Sequence, residues 1–254
     1  MKVLVKLGGA LLDTPSTRDA LAAQIAAIRG EVVVVHGGGK QMTRYLTERG
    51  VESRFVNGLR VTGPETIDAV LKVFAGTVNH ELVAALNRAG ALAVGLTGID
   101  ALLAEAEQMD PELGAVGRVV RSNAGVLDVL TVGGYLPVVA CVAGDRQGNI
   151  YNVNADQMAV ACAAAFGADE LIFLTDVEGV MDGTKTVRTS LTAADCRGLI
   201  ADGVATGGMQ AKLNAAMAGL AGGVGSVRIA SGAAANVLPR LLAGETIGTR
   251  ITHD

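Results

Sequence analysis

Six short aliphatic runs, at positions 3–7, 32–36, 92–96, 136–142, 171–175 and 227–230, alternate along this 254-residue chain with segments of helical pattern at 16–29, 41–49, 64–88, 123–132, 156–166 and 209–220. Runs so short and so continuously apolar fit strands buried on both faces. A strand–helix–strand order returns the chain to the same edge each time, which makes neighbouring strands parallel. The predicted class is therefore α/β: a three-layer sandwich of helices around an open, mostly parallel sheet. In such sheets ligands gather at the carboxyl ends of the strands.

The first two runs stop at consecutive glycines, Val3-Leu4-Val5-Lys6-Leu7-Gly8-Gly9 and Val32-Val33-Val34-Val35-His36-Gly37-Gly38-Gly39. Without a Cβ, a glycine N–H can face an anion unobstructed, and a helix starting just afterwards adds free N–H groups and a positive dipole. Lys6 adds a fixed cation. An ordinary strand-to-helix turn explains one Gly-Gly equally well, but two within the first forty residues are harder to dismiss. Neither fits a Walker A loop or the Gly-x-Gly-x-x-Gly pattern. His36 reads as polar support for its loop, against the competing reading of a solvated side chain.

A net charge of −4, from 21 basic and 25 acidic residues, with no basic run and no aromatic platform, argues against general nucleic-acid binding. A small anion remains open through local charge. Cys141, Cys162 and Cys196 are odd in number and lack Cys-x-x-Cys spacing, so they read as small core residues. His36, His80 and His253 form no metal-ligand spacing. Uncharged stretches such as 129–144 contain glycine or proline and fall short of the roughly 18 residues a bilayer needs. Lys2 and Lys6 interrupt any signal-peptide core, so a cytoplasmic chain without a membrane partner is expected. Segments 56–62, 113–121 and 144–152 read as hairpins decorating the sheet, as a lid or substrate wall. No linker or repeat divides the chain, so any two lobes share one sheet, with a seam near 166–169.

Two later segments carry chemistry. In Asn152-Val153-Asn154-Ala155-Asp156, Asn154 suits an N-cap and Asp156 a first-turn carboxylate. Capping does not need both asparagines, which leaves Asn152 for a ligand and Asp156 to orient nearby lysines. In Thr206-Gly207-Gly208-Met209-Gln210-Ala211-Lys212, a glycine turn opens an alanine-rich helix with one lysine a turn in. A solvated lysine is the plain alternative. Yet Lys212 is the only charge between Asp202 and Arg228.

Taken in order, Lys6-Leu7-Gly8-Gly9, His36-Gly37-Gly38-Gly39, Asn57-Gly58-Leu59-Arg60-Val61-Thr62, residues 152–156, Thr175-Asp176-Val177-Glu178-Gly179 and Gly207-Gly208-Met209 with Lys212 resemble the motifs of the amino acid kinase family. The likeness runs over residues 2–251. It implies the amino acid kinase (carbamate kinase-like) fold, with a lobe at 1–167 for the acyl acceptor and dimerisation and a lobe at 168–254 for ATP. Within the family, the resemblance is to the branch that moves the γ-phosphoryl of MgATP onto the side-chain carboxylate of N-acetyl-L-glutamate in arginine biosynthesis.

The implied roles follow. Lys6 and Lys212 approach the transferring phosphoryl from the two lobes, and Asp156 holds both lysines. Backbone N–H groups of Gly8, Gly9, Gly38 and Gly39 hold phosphoryl and carboxylate oxygens. Arg60 pairs its planar fork with the substrate α-carboxylate, and Asn152 binds the same end. ATP lies over Asp176, Val177, Glu178, Gly179, Val180 and Met181 and over Val204, Ala205 and Thr206. Magnesium rides on the nucleotide phosphates, with no protein metal cage.

The Asn-Gly-Leu-Arg-Val-Thr segment favours N-acetylglutamate over carrier-protein-bound aminoadipate or glutamate, the nearest enzyme alternative. A catalytically silent binding protein is the non-enzyme alternative, which the presence of both lysines and Asp156 disfavours. The chain starts at its first strand, without the extra N-terminal helix that links dimers into hexamers in arginine-inhibited members. An arginine-insensitive homodimer is therefore expected, paired through the long helix after Pro64. Residues 230–235 lack the charges often present there in the family.

Overall fold

In the computed structural model, which describes residues 1–254, the strand β1 (Lys2–Leu7) lies in the middle of an eight-stranded sheet. To one side come β2 (Glu31–His36), β8 (Leu136–Ala140) and β5 (Ala93–Thr97). To the other come β11 (Glu170–Thr175), β13 (Ser226–Ser231), β14 (Thr249–Thr252) and β12 (Ser190–Thr192). From β5 to β13 every pairing is parallel, and β14 runs antiparallel to β13. All of β8 and β11, and all but the first residue of β1 and β2, are buried. That is what continuous Val/Leu/Ile runs require when helices cover both faces.

The helices complete the predicted three layers. One group joins α1 (Pro15–Ala26), the long helix Pro64–Arg88 and α9 (Val237–Leu242). Another joins α6 (Ala155–Phe166), α7 (Ala193–Ala201) and α8 (Gly207–Ala221). The long helix is apolar enough to cross a bilayer by length and composition, and half of its most apolar window is buried inside the fold.

Between residues 98 and 153 the chain departs from the expected single sheet with decorating hairpins. The run 136–142 is two strands rather than one: β8 ends at Ala140, and after the buried Cys141 the chain continues as β9 (Val142–Gly144). There β9 joins β6 (Ala104–Gln108), β7 (Val116–Ser122) and β10 (Ile150–Val153) in a small closed barrel. Segments 113–121 and 144–152 thus build a second sheet instead of decorating the first. Segment 144–152 is a hairpin, turned where the Asp145 carboxylate accepts from Gln147 N, Asn149 N and Tyr151 Oη. Segment 56–62 is one too: β3 (Phe55–Val56) and β4 (Leu59–Arg60) pair around Asn57 and Gly58, with φ of 49° and 80°. A two-residue turn with both φ positive selects Asn-Gly.

Candidate active site

Three turns leave the carboxyl ends of adjacent strands together, since Leu7 is level with both His36 and Leu174. The glycine turns after β1 and β2 touch. A Cβ on Gly9 would stand 2.9 Å from Gly39 N and 3.3 Å from Gly38 N, so only glycine lets the two loops close to this distance. Gly38 is the N-cap of α2 (Gly39–Thr47), which has no side-chain cap, so the first N–H groups of this helix are free for a ligand. Gly8 differs from expectation: its N–H donates to Leu174 O at 2.9 Å, continuing the β1–β11 ladder. It is a point of close backbone approach, not a free donor.

Lys6, 7 % exposed, reaches from β1 to place Nζ 2.5 Å from Asp156 Oδ1. Asp156, 8 % exposed, sits in the first turn of α6, whose N-cap Asn154 accepts from the Asp156 and Gln157 N–H groups. Its other oxygen, Oδ2, lies 3.6 Å from Lys212 Nζ on α8. Burial pushes the Asp156 carboxyl upward, but the two ammonium groups outweigh it and hold the carboxyl below its usual value. Two cations share one buried anion, which leaves a net positive charge aimed at whatever enters. Lys212 follows a second uncapped helix start, at Gly207 with φ of 53°. The hairpin tip 57–59, Asp156, Gly207, Gly208 and Lys212 line a cleft of about 750 Å³.

A neighbouring cavity of about 680 Å³ holds Gly9, Gly39, Lys40, Thr43, Phe55 and Arg60. Arg60 is 8 % exposed, and its fork donates to Ser53 Oγ, to Thr43 Oγ1 at 2.8 Å and to Gly39 O at 3.3 Å. All three partners are neutral, and the guanidinium lies 4.6 Å above the Phe55 ring. A buried guanidinium without a carboxylate is a ready receptor for one. Asn152 Nδ2 donates to Thr62 Oγ1, which in turn donates to Arg60 O, so the barrel and the hairpin strand are tied together here.

Of the residues expected near the nucleotide, Asp176, Val177, Glu178, Met181, Val204 and Thr206 reach the surface. Hydrogen bonds from the Thr175 hydroxyl and its own N–H, then Lys212 and Lys40, hold Asp176 low. Gly179, Val180 and Ala205 are buried and act as support. Val180 N donates to Thr249 Oγ1 at 2.8 Å, and a Cβ on Gly179 would strike Val187 and Thr249. Glu178 lines a separate apolar cavity with Val187 and Val237. Sequence reasoning missed Thr43, Ser53, Phe55 and Thr62. Thr43, one turn past the glycines on α2, was the most readable of them.

His36 supports its loop as expected: it is fully buried, and Nδ1 donates to Gly37 O at 2.9 Å. Burial lowers its pKa to about 4 despite that hydrogen bond. A histidine neutral in the fold but free to protonate when unfolded stabilises less as pH falls from its ordinary 6.5 towards 4. The expected loss approaches about 3 kcal/mol. Urea midpoints at pH 7 and pH 4.5 test this, with His36→Asn giving a shallower slope; equal slopes would reject it. The three cysteines are free and buried, with Cys141 and Cys162 pushed up to about 12 by desolvation.

Comparison with known proteins bears on the fold and the family. The model of the amino acid kinase family matches residues 1–231. An acetylglutamate kinase of Solibacter usitatus is 73 % identical over 254 residues, covering 99 % of each chain. One of Acidobacterium capsulatum is 44 % identical over 257 residues, again 99 % of each. Among solved structures, an N-acetylglutamate synthase from Neisseria gonorrhoeae complexed with coenzyme A and N-acetyl-glutamate superposes with a TM-score of 0.88 at 25 % identity. That match covers all of this chain, which spans 59 % of the synthase chain. Carbamate kinase from Giardia lamblia, at 20 % identity and TM-score 0.74, shares the fold over 100 % of this chain and 98 % of its own. The chain belongs to the amino acid kinase family.

Proposed function

We infer that this chain transfers the γ-phosphoryl of MgATP to the side-chain carboxylate of N-acetyl-L-glutamate, giving N-acetyl-L-glutamyl 5-phosphate and ADP. The observation that carries this reading is Asp156 shared by Lys6 and Lys212 beside the carboxylate-free Arg60. A carboxylate oxygen attacks phosphorus as the bond to the β,γ-bridging oxygen breaks. The acceptor is already ionised at neutral pH, so the step needs no general base. It needs alignment and cancellation of charge between two anions. Lys6 and Lys212 supply that charge, and Asp156 positions them without touching substrate. The N–H groups of Gly9, Gly38 and Gly39 meet phosphoryl and carboxylate oxygens, while Arg60 and Asn152 hold the α-carboxylate end.

Residues 1–167 form the acceptor lobe and 168–254 the nucleotide lobe of one sheet. ATP lies against the exposed residues of 176–181 and 204–206. No group of three His, Cys, Asp or Glu side chains converges. In this reading magnesium arrives on the nucleotide phosphates, where it would neutralise their charge. The reading includes a cytoplasmic homodimer paired through the Pro64–Arg88 helix.

Hydroxylamine trapping of the acyl phosphate tests the reaction across N-acetyl-L-glutamate, glutamate, aspartate and N-acetylaspartate. Turnover is expected with N-acetyl-L-glutamate above the others. None with it would exclude the reading in favour of a carrier-protein-bound acceptor or a silent binding protein. Sedimentation equilibrium is expected at twice the monomer mass, and a hexamer would exclude the dimer.

A further inference from the structure

The long helix consists of α3 (Pro64–Val70), a π-helical stretch (Leu71–Val78) and α4 (Asn79–Arg88). Its buried positions come in pairs: Ala69 with Val70, Val73 with Phe74, then Val78 with Asn79. The step from 74 to 79 is five residues, as a π turn gives, whereas α spacing would turn Thr77 inward. The consequence is a polar side chain in the core. Asn79 is 1 % exposed, and its Nδ2 lies 2.9 Å from Val138 O and 3.0 Å from His36 Nε2. Gly95 on β5 makes the room, since a Cβ there would fall 2.1 Å from Asn79 Oδ1.

These contacts fix a proton. Val138 O can only accept, so the amide must face it with nitrogen, and the same NH₂ meets His36 Nε2. Nε2 is then the acceptor, and the histidine proton sits on Nδ1, where it donates to Gly37 O. A trans peptide is planar, with its C=O and the following N–H opposed. Holding Gly37 O therefore aims Gly38 N–H the other way. Gly38 is also held from the side, where a Cβ would meet Phe74 Cδ1 at 2.9 Å within the π-helical stretch.

We propose that Asn79 and His36 are positioning residues for the phosphoryl transfer: the chain Val138 O, Asn79, His36 and Gly37 O fixes the peptide whose N–H, on Gly38, meets the charge that develops there. The proposal rests on the reaction inferred above. Neither side chain touches substrate, and the π turn exists to bring Asn79 within reach of His36.

Asn79→Leu keeps approximate volume and removes both donors. Its kcat is expected to fall by about ten- to a hundredfold, with KM for both substrates within about threefold, because the lost alignment matters in the transition state. Gly95→Ala, which displaces Asn79 sterically, is expected to give the same split. Nitrogen-15 NMR of the parent at pH 7 is expected to show His36 neutral with its proton on Nδ1, and to show that preference lost in Asn79→Leu. A folded Asn79→Leu with kcat within about twofold of the parent would overturn the proposal. So would a parent spectrum with the proton on Nε2, which decides the matter even if both variants fail to fold. A parent with the Nδ1–H spectrum but no turnover of N-acetyl-L-glutamate overturns the reaction and leaves the hydrogen-bonded chain from Val138 O to Gly37 O standing.

Discussion

Lys6→Ala is expected to lower kcat by about a thousandfold, with KM for either substrate changing less than about tenfold. Lys6 is buried, and its ammonium is the nearer of the two cations on Asp156, at 2.5 Å against 3.6 Å for Lys212. Without it the site falls from one net positive charge to neutral at the point where two anions must meet. Lys212→Ala belongs to the same class, and the double variant should cost far less than the product of the two, because one carboxylate orients both. Asp156→Asn separates charge from order. It leaves two unrestrained cations, so kcat should fall although ATP affinity does not. Stepwise kinetics on the three variants check this, and Lys6→Ala turning over within about tenfold of the parent would remove Lys6 from the chemistry. Stability carries a second readout. Because the Asp156 carboxyl is depressed in the fold, its contribution is full above the ordinary carboxylate pKa and is lost only as pH falls below it. Lys6→Ala removes one of the two cations that hold this carboxyl down, so the acid-dependent loss should shrink.

These residues were legible because they break the local rules. Lys6 interrupts a buried strand, consecutive glycines end two strands, and Lys212 stands alone in a neutral segment. The layer order was legible too, since buried parallel strands must be continuously apolar. The barrel was not. An uninterrupted run from Leu136 to Gly144 contains no mark of where the chain leaves one sheet for another, which happens at the bend on Cys141. Gly8 shows a different limit. Its glycine signals close approach, but only the neighbouring strand reveals that Leu174 O already takes its N–H. At 179–180 the motif was read as contact surface, whereas Val180 is packed behind it and bonded to Thr249. The five-residue step from Phe74 to Asn79 lay in plain view, but a polar residue at the inward position disguised the core stripe.

Arg60→Lys is expected to raise KM for N-acetyl-L-glutamate by about a hundredfold while kcat falls less than about fivefold. Charge is conserved in this change, so its effect isolates geometry. The Arg60 fork is already held on three sides, by Ser53, Thr43 and Gly39 O, and is stacked on Phe55. Its orientation is thus set before substrate arrives, and a carboxylate can meet two N–H groups at once. A lysine ammonium offers one point of charge on a flexible stem, loses the stacking and cannot satisfy all three oxygens while also binding a ligand. The difference of about 3 kcal/mol belongs to binding rather than to the transferring phosphoryl, the role proposed for the two lysines and Asp156. A substrate whose α-carboxylate is replaced by a carboxamide gives the control. It should bind the parent about as poorly as N-acetyl-L-glutamate binds Arg60→Lys, and the variant should discriminate little between the two. If the carboxamide and the substitution weaken binding independently, Arg60 does not hold the α-carboxylate.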